Sequence, residues 1–108
     1  MIYANKLICE LEEKYGEDFN WWIPDNLSFY DSELKNELPD NHPLKRIDAK
    51  AAAKNSRNDD ILFFGGEEYY LVHLTYLKEH SDEFPKYKIL RKSELMKFFE
   101  HDYLSGIQ

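Results

Sequence analysis

The sequence is poor in cysteine, glycine and proline, and it has no long hydrophobic run. One cysteine, four glycines and four prolines occur among its 108 residues. A single cysteine excludes an internal disulfide framework and a metal site built from several thiolates. No apolar run approaches the roughly 20 residues of a membrane span, and the first residues lack the charged start and apolar stretch of a signal peptide. These absences predict a cytoplasmic protein that does not insert into a membrane.

The composition is that of a folded domain. Apolar residues make up 43% of the chain and aromatic residues 16%, which is too much apolar surface for a disordered tail. A chain of this length forms one core. Residues 1–108 are therefore predicted to form a single domain.

The charge is concentrated in the first two-fifths of the chain. Fourteen lysines and arginines stand against 21 aspartates and glutamates, which gives a net charge of −7. Residues 1–44 hold ten acids and three bases, whereas residues 45–108 hold eleven of each. An acidic field repels nucleic acid and speeds the encounter with a basic protein. The alternative is that these acids only keep a small protein in solution.

The first part of the sequence contains two helix patterns. Residues 2–15 place apolar side chains on one side of a helix and charged side chains on the other, and Gly16 is a natural C-terminal stop. A short second helix is expected around residues 33–38, with Asp31 or Ser32 as its N-cap.

From residue 44 onward the pattern changes to that of strands. Residues 47–54 alternate in a way that favours a strand with one solvated face, although a helix is the alternative because alanine and lysine both favour helices. Residues 61–64 and 69–76 flank a Gly-Gly turn and predict a β-hairpin. A polar loop through residues 78–83 leads to a last strand at 87–90.

A final helix completes the pattern, with Ser93 as its predicted N-cap. Its apolar stripe consists of Leu95, Met96, Phe99 and Tyr103. Consecutive strands between helices predict an α+β fold: an antiparallel meander of three to four strands, flanked by N- and C-terminal helices.

Neither the histidines nor the cysteine predicts a metal or cofactor site. No two histidines have the spacing of a preformed metal face, and the cluster at residues 80–83 would hold a cation only loosely. Cys9 lies beside Glu10, Glu12 and Glu13 on the first predicted helix. Because acids raise the pKa of a thiol, this position disfavours a nucleophile, and Cys9 is expected to pack at the edge of the helix stripe.

Among the histidines, His73 is the strongest candidate for a functional residue. Strand alternation places it on one face with Tyr69, Leu71 and Thr75. A histidine there is a general base if an acid and a substrate converge on it. More often it is a core or near-core histidine bonded to a backbone carbonyl or a hydroxyl. No nucleophile or oxyanion motif accompanies His73, so the core role is preferred.

Two adjacent tryptophans, Trp21 and Trp22, lie in the segment that carries the excess acid. Adjacent residues of an extended chain point to opposite sides, so at least one ring is a candidate contact. Aromatic anchors inside a charged rim are typical of tight protein–protein interfaces. The predicted partner-binding residues are Glu10, Glu13, Glu17, Asp18, Trp21, Trp22, Asp25 and Tyr30.

Two strand motifs carry a resemblance to known proteins. Residues 58–63 (Asn-Asp-Asp-Ile-Leu-Phe), residues 70–76 (Tyr-Leu-Val-His-Leu-Thr-Tyr) and Phe84-Pro85 resemble a group of small, mostly uncharacterised bacterial proteins. These proteins pair an Asp-aliphatic-Leu-Phe strand with a Val-His-Leu-Thr-aromatic strand. In size and acidity the chain is also similar to immunity proteins of bacterial toxin systems, including contact-dependent inhibition. That second resemblance implies a cytoplasmic inhibitor that binds one cognate toxin domain, often a basic nuclease, and it transfers no catalytic residue.

The leading hypothesis is therefore a non-enzymatic protein-binding protein, namely an immunity protein that neutralises a basic toxin domain. Two alternatives stay open. One is a small enzyme or ligand-binding domain that uses His73 with Thr75 and a nearby acid. The other is a structural adaptor without a toxin partner.

Overall fold

Three helices and five strands make up the part of the chain that the structure describes. The structure is a computed structural model that describes residues 3–77 and 84–105, so the polar loop predicted at 78–83 lies outside the described residues. The helices are α1 (Tyr3–Tyr15), α2 (Leu27–Glu37) and α3 (Leu95–Ser105). The strands are β1 (Trp21–Trp22), β2 (Lys50–Asn55), β3 (Asp60–Gly65), β4 (Glu68–His73) and β5 (Tyr87–Arg91). Short 3-10 turns cover Gly16–Asp18, Pro43–Arg46 and Lys92–Glu94.

A five-stranded antiparallel sheet organises the fold. The strand order is β1-β2-β3-β4-β5, and each strand runs antiparallel to its neighbours. This confirms the predicted α+β meander. The strand that the sequence pattern does not reveal is β1, in which Trp21 pairs with Asn55 and Trp22 with Lys54. A strand of two residues is too short to show an alternation.

Helices cover both faces of the sheet. Helices α1 and α3 pack on one face, in a cluster that includes Leu11, Leu62 and Phe99. Helix α2 packs on the other face, over Ile61 and Phe63 of β3. The central strands are therefore buried on both sides.

Strand β2 confirms a strand within the predicted residues 47–54, although it begins at Lys50 and not at residue 47. The expected solvated face is wrong. Ala51, Ala52 and Ala53 are all buried. The pairing with β3 shifts register between Ala51 and Ala53, and the alanines contribute to the clusters on both faces. Small side chains suit this position because they let helices approach the strand from either side.

Helix α2 begins at Leu27, earlier than the predicted start near residue 33. Asp31 and Ser32 lie inside the helix, so the prediction that one of them caps it is wrong. Asp31 instead accepts a hydrogen bond from the backbone N–H of Ala51. This bond ties α2 to the sheet.

The predicted hairpin is confirmed by β3 and β4. Gly65 lies opposite Glu68, and the two residues between them form the turn. Gly66 has a φ of 61°, a backbone conformation that glycine adopts without steric cost. Strand β4 ends at His73, short of the predicted end at residue 76.

The predicted end of α1 is confirmed, and the predicted cap of α3 is not. Helix α1 ends at Tyr15, and Gly16 follows with a φ of 82°. Ser93 lies within the 3-10 turn before α3 and does not cap the helix. The side chain of Glu94 closes that turn instead, because its Oε1 accepts a hydrogen bond from the N–H of Arg91 at 2.9 Å.

Candidate protein-binding surface

A groove with acidic and aromatic walls lies between α1 and β1. Its volume is about 640 Å³, and we call it the acidic groove. Its lining residues are Cys9, Glu12, Glu13, Gly16, Glu17, Phe19, Trp21 and Trp22. Four of the eight predicted partner-binding residues are among them: Glu13, Glu17, Trp21 and Trp22. The fold therefore brings together residues that the sequence only suggested as a set.

Helix geometry explains the α1 side of the acidic groove. Cys9, Glu12, Glu13 and Gly16 are spaced at i, i+3, i+4 and i+7, which places them on one side of the helix. Gly16 ends the helix with its positive φ, and Glu17 follows in a 3-10 turn. Three glutamates thus face the same opening.

The two tryptophans differ in exposure, as strand alternation predicts. Trp21 is 1% exposed and Trp22 is 45% exposed. The ring of Trp21 packs against Phe98 and Phe99 of α3, with centroid distances of 6.0 and 5.5 Å. Trp22 therefore offers its ring to solvent from the wall of the acidic groove.

Asp102 of α3 fixes the position of β1. Its Oδ2 accepts hydrogen bonds from Trp21 Nε1 and Asn20 Nδ2, both at 2.9 Å, and from Asn55 Nδ2 at 3.3 Å. Hydrogen bonds to a carboxylate are stronger than those between neutral groups. These hydrogen bonds anchor the strand that carries Trp22 to α3.

The glutamates of the acidic groove have no cation partner among the described residues. Lys14, the nearest base on α1, is engaged elsewhere: its Nζ lies 2.8 Å from Glu100 Oε2, and Tyr15 donates to the same oxygen at 2.7 Å. These hydrogen bonds from Lys14 and Tyr15 hold the pKa of Glu100 below its ordinary value. Lys14 therefore does not form an ion pair with the glutamates of the groove.

The other predicted contact residues lie outside the groove lining. Glu10, Asp18 and Asp25 are exposed. Tyr30 is 8% exposed and packs on the opposite face of the sheet, in the α2 cluster. Because Trp21 is buried as well, neither its ring nor that of Tyr30 is available to a partner, and we leave both out of the proposed contact surface.

Helix periodicity predicts which of these side chains are buried and which share one face of a helix. Tyr30 follows Leu27 by three residues and precedes Leu34 by four, which is the spacing of a buried stripe. The same spacing puts Cys9 and Glu12 on one side of α1, which predicts that Glu12 also lines the groove. Phe29, adjacent to Tyr30, is the exposed ring of that pair at 50%.

His73 is exposed, so its expected core role is wrong. It is the last residue of β4, and its side chain is 55% exposed. His73 Nδ1 lies 2.9 Å from Asp60 Oδ1, so an acid does accompany it. Thr75, however, donates its hydroxyl to Glu37 Oε1 at 3.0 Å. The alternative site of His73, Thr75 and a nearby acid is therefore only partly assembled.

Among the described histidines, His42 is the buried one, with 2% of its surface exposed. The N–H of Leu44 donates to His42 Nδ1 at 3.0 Å. The ring proton therefore lies on Nε2, which donates to the carbonyl of Pro85 at 3.1 Å. Both ring nitrogens therefore have hydrogen-bond partners. His42, and not His73, is thus a core histidine with satisfied hydrogen bonds.

A pair of carboxyl groups joins α2 to the segment after β4. Glu37 is fully buried, and its two oxygens accept hydrogen bonds from the backbone N–H groups of Thr75 and Tyr76, both at 2.8 Å. Glu33 lies one helical turn earlier, and hydrogen bonding to Glu37, together with burial, raises the pKa of Glu33 to about 7. The pair thus fastens a turn in which Tyr76 has a φ of 61°.

Within residues 3–77 and 84–105, no group of three or more His, Cys, Asp or Glu side chains is placed to hold a metal ion. The weak cation candidate at residues 80–83 lies outside that part of the chain. Cys9 is exposed on the groove side of α1. Its expected packing role is therefore wrong, because the apolar stripe of α1 faces away from it.

A second cavity, of about 930 Å³, opens near the start of α1. Its lining residues are Tyr3, Lys6, Phe64, Gly66, Glu67, Tyr69 and Lys92. Lys92 Nζ lies 4.6 Å from the centroid of the Tyr3 ring. With two lysines and one glutamate, this cavity has the opposite sign of charge to the acidic groove.

Neither a protein-family model, nor a curated protein, nor a solved structure matches this chain. Among the described residues, no helix combines the length and the apolar character needed to cross a membrane.

Proposed function

We propose that this protein binds another protein without catalysing a reaction, and that it is a cytoplasmic immunity protein for a basic bacterial toxin domain. The observation that carries this proposal is the acidic groove. There, the half-exposed ring of Trp22 shares an opening with glutamates that have no cation partner among the described residues.

The chemistry of the acidic groove suits a basic partner. Exposed tryptophan supplies a large apolar contact, and such rings are frequent energetic centres of interfaces. Carboxylates around it accelerate the approach of a lysine- or arginine-rich surface. A nuclease domain has such a surface because it must bind phosphates, so a protein seated there would also block its substrate.

The anchoring of β1 to α3 supports the same role. Asp102 holds β1 through three hydrogen bonds, and the ring of Trp21 locks the strand against α3. Trp22 is therefore presented on a preformed surface. Preorganisation of this kind reduces the entropy that is lost on binding.

Co-production with the product of the neighbouring gene tests the proposal. The tagged protein and that product are run on size exclusion at low and high salt. We expect a stoichiometric complex that weakens with salt and that Trp22→Ala weakens further. Phe29→Ala, which removes an exposed ring outside the groove, serves as the control and should leave the complex intact. Absence of a complex at both salt concentrations would contradict the proposal.

A second candidate function has one observation in its favour, namely the exposed pair of His73 and Asp60 at 2.9 Å. An acid beside a histidine is the orienting half of a general-base site. If that site binds a small ligand, His73→Ala should keep its fold and lose the thermal shift that the ligand induces. A screen in which no compound shifts the wild-type protein would exclude this reading.

A further inference from the structure

The edge of the sheet opposite the acidic groove has the opposite chemistry. Strand β1 forms one edge of the sheet and β5 the other. Residues 86–92 read Lys-Tyr-Lys-Ile-Leu-Arg-Lys, with four bases and no acid. In a chain with a net charge of −7, this is a local reversal of sign.

The backbone of β5 has hydrogen-bonding groups directed away from the sheet. The N–H of His73 donates to the carbonyl of Lys86 at 3.1 Å, which makes these two residues a hydrogen-bonded pair. Such pairs alternate along an antiparallel ladder with pairs that are not hydrogen-bonded. The N–H and C=O groups of Tyr87 and Ile89 therefore point away from β4. No strand in the described part of the chain pairs with that side of β5.

The side chains of β5 give its two faces different characters. Lys86 and Lys88 alternate onto one face, where both are exposed and neither has a carboxylate partner among the described residues. Ile89 lies on the other face and is 49% exposed. Arg91 stands opposite Glu68 in the register, although these two form no ion pair.

We propose that β5 accepts an extended acidic segment of a partner protein as a sixth strand. Main-chain hydrogen bonds to Tyr87 and Ile89 would hold the segment, as in other cases of strand addition. Alternating side chains would place acids over Lys86 and Lys88 and apolar groups over Ile89. A second copy of this chain fits less well, because two β5 strands would bring like charges together. The proposal goes beyond the proposed function, since it uses the opposite edge and the opposite charge.

A capped eight-residue peptide of alternating glutamate and valine is the probe, with its affinity measured by titration calorimetry. We expect Lys86→Glu with Lys88→Glu to weaken binding by about tenfold or more, because the cationic face is reversed. Lys35→Glu with Lys97→Glu makes the same change in net charge at exposed sites away from β5. This control should bind the peptide nearly as the wild type does. Failure of the wild-type protein to bind, or equal losses in both variants, would overturn the proposal.

A modified peptide separates strand addition from simple charge attraction. N-methylation of the valines removes the donors that would meet Tyr87 and Ile89 but keeps every charge. Strand addition predicts that this peptide does not bind, and equal binding would overturn the proposal. Sedimentation of the free protein completes the test. A dimer that dissociates in Ile89→Asp would assign the edge to a second copy and would also overturn the proposal.

Discussion

At the scale of single residues, two adjacent tryptophans have different tasks. Trp21 is buried against α3 and Trp22 is half exposed on the acidic groove. We expect Trp21→Ala to lower the free energy of unfolding by about 3–5 kcal/mol, as for other large core truncations. Trp22→Ala should change it by less than about 1 kcal/mol. Urea unfolding of both variants measures the difference, and equal losses would contradict the assignment.

Glu33 makes stability depend on pH near neutrality. Its pKa in the folded protein is about 7, raised from 4.5 by Glu37 and by burial. The protonated form therefore stabilises the folded state fully below pH 4.5, and this contribution is lost as the pH rises through 7. Glu33→Gln removes the titration. We expect the variant to lose less stability than the wild-type protein between pH 5 and 8.

Thermal unfolding across that pH range measures the effect. Glu12→Gln, which changes an exposed glutamate of the acidic groove, is the matched control and should follow the wild-type curve. Parallel curves for Glu33→Gln and the wild-type protein would show that Glu33 does not titrate in this range.

At the scale of elements, the hairpin requires glycine at two positions for different structural reasons. Gly66 needs a positive φ, with a value of 61°. Gly65 needs space, because an added Cβ would lie 2.8 Å from Ile47 Cγ2 and 3.3 Å from Ala49 Cα. We expect Gly65→Ala to cost about 1–3 kcal/mol by overpacking. Gly66→Asn should cost less, since asparagine tolerates positive φ.

Chemical denaturation of both hairpin variants tests this distinction. If Gly66→Asn lowered the free energy of unfolding more than Gly65→Ala, the turn conformation would matter more to stability than the contact between β3 and the segment before β2.

Elements with a long local pattern were predictable from the sequence, and those that depend on a distant partner were not. Helix α1 and the β3–β4 hairpin follow from periodicity and turn residues. Strand β1 exists because two residues pair with the end of β2, a contact that no local pattern shows. The burial of Ala52 likewise depends on helices that are distant in sequence.

The candidate site was predictable in part for the same reason. The sequence of this segment indicated the acids and one accessible ring in the tryptophan pair, but it did not indicate that the accessible ring is Trp22. Their meeting in one groove depends on how the end of α1 packs beside β1. The pair formed by Glu33 and Glu37 was not predicted, because its partner Tyr76 lies far along the chain.

At the scale of the whole molecule, charge is divided between the two edges of the sheet. The acidic groove lies at the β1 edge and the basic segment at the β5 edge. Four strand spacings of roughly 4.8 Å each separate these edges. Because this distance exceeds a Debye length of roughly 8 Å at physiological salt, each edge presents its own charge to a partner.

The association rate with the product of the neighbouring gene tests most directly whether the acidic groove meets the partner protein. The variant Glu13→Gln, Glu17→Gln, Asp18→Asn removes three negative charges at and beside the acidic groove. We expect it to associate about tenfold more slowly at low salt and to lose most of its salt dependence. The control Asp40→Asn, Asp59→Asn, Glu67→Gln removes three exposed acids elsewhere and should associate nearly as fast as the wild-type protein. If the groove variant associated at the wild-type rate, or if the control slowed equally, the acidic groove would not be the surface that meets the partner.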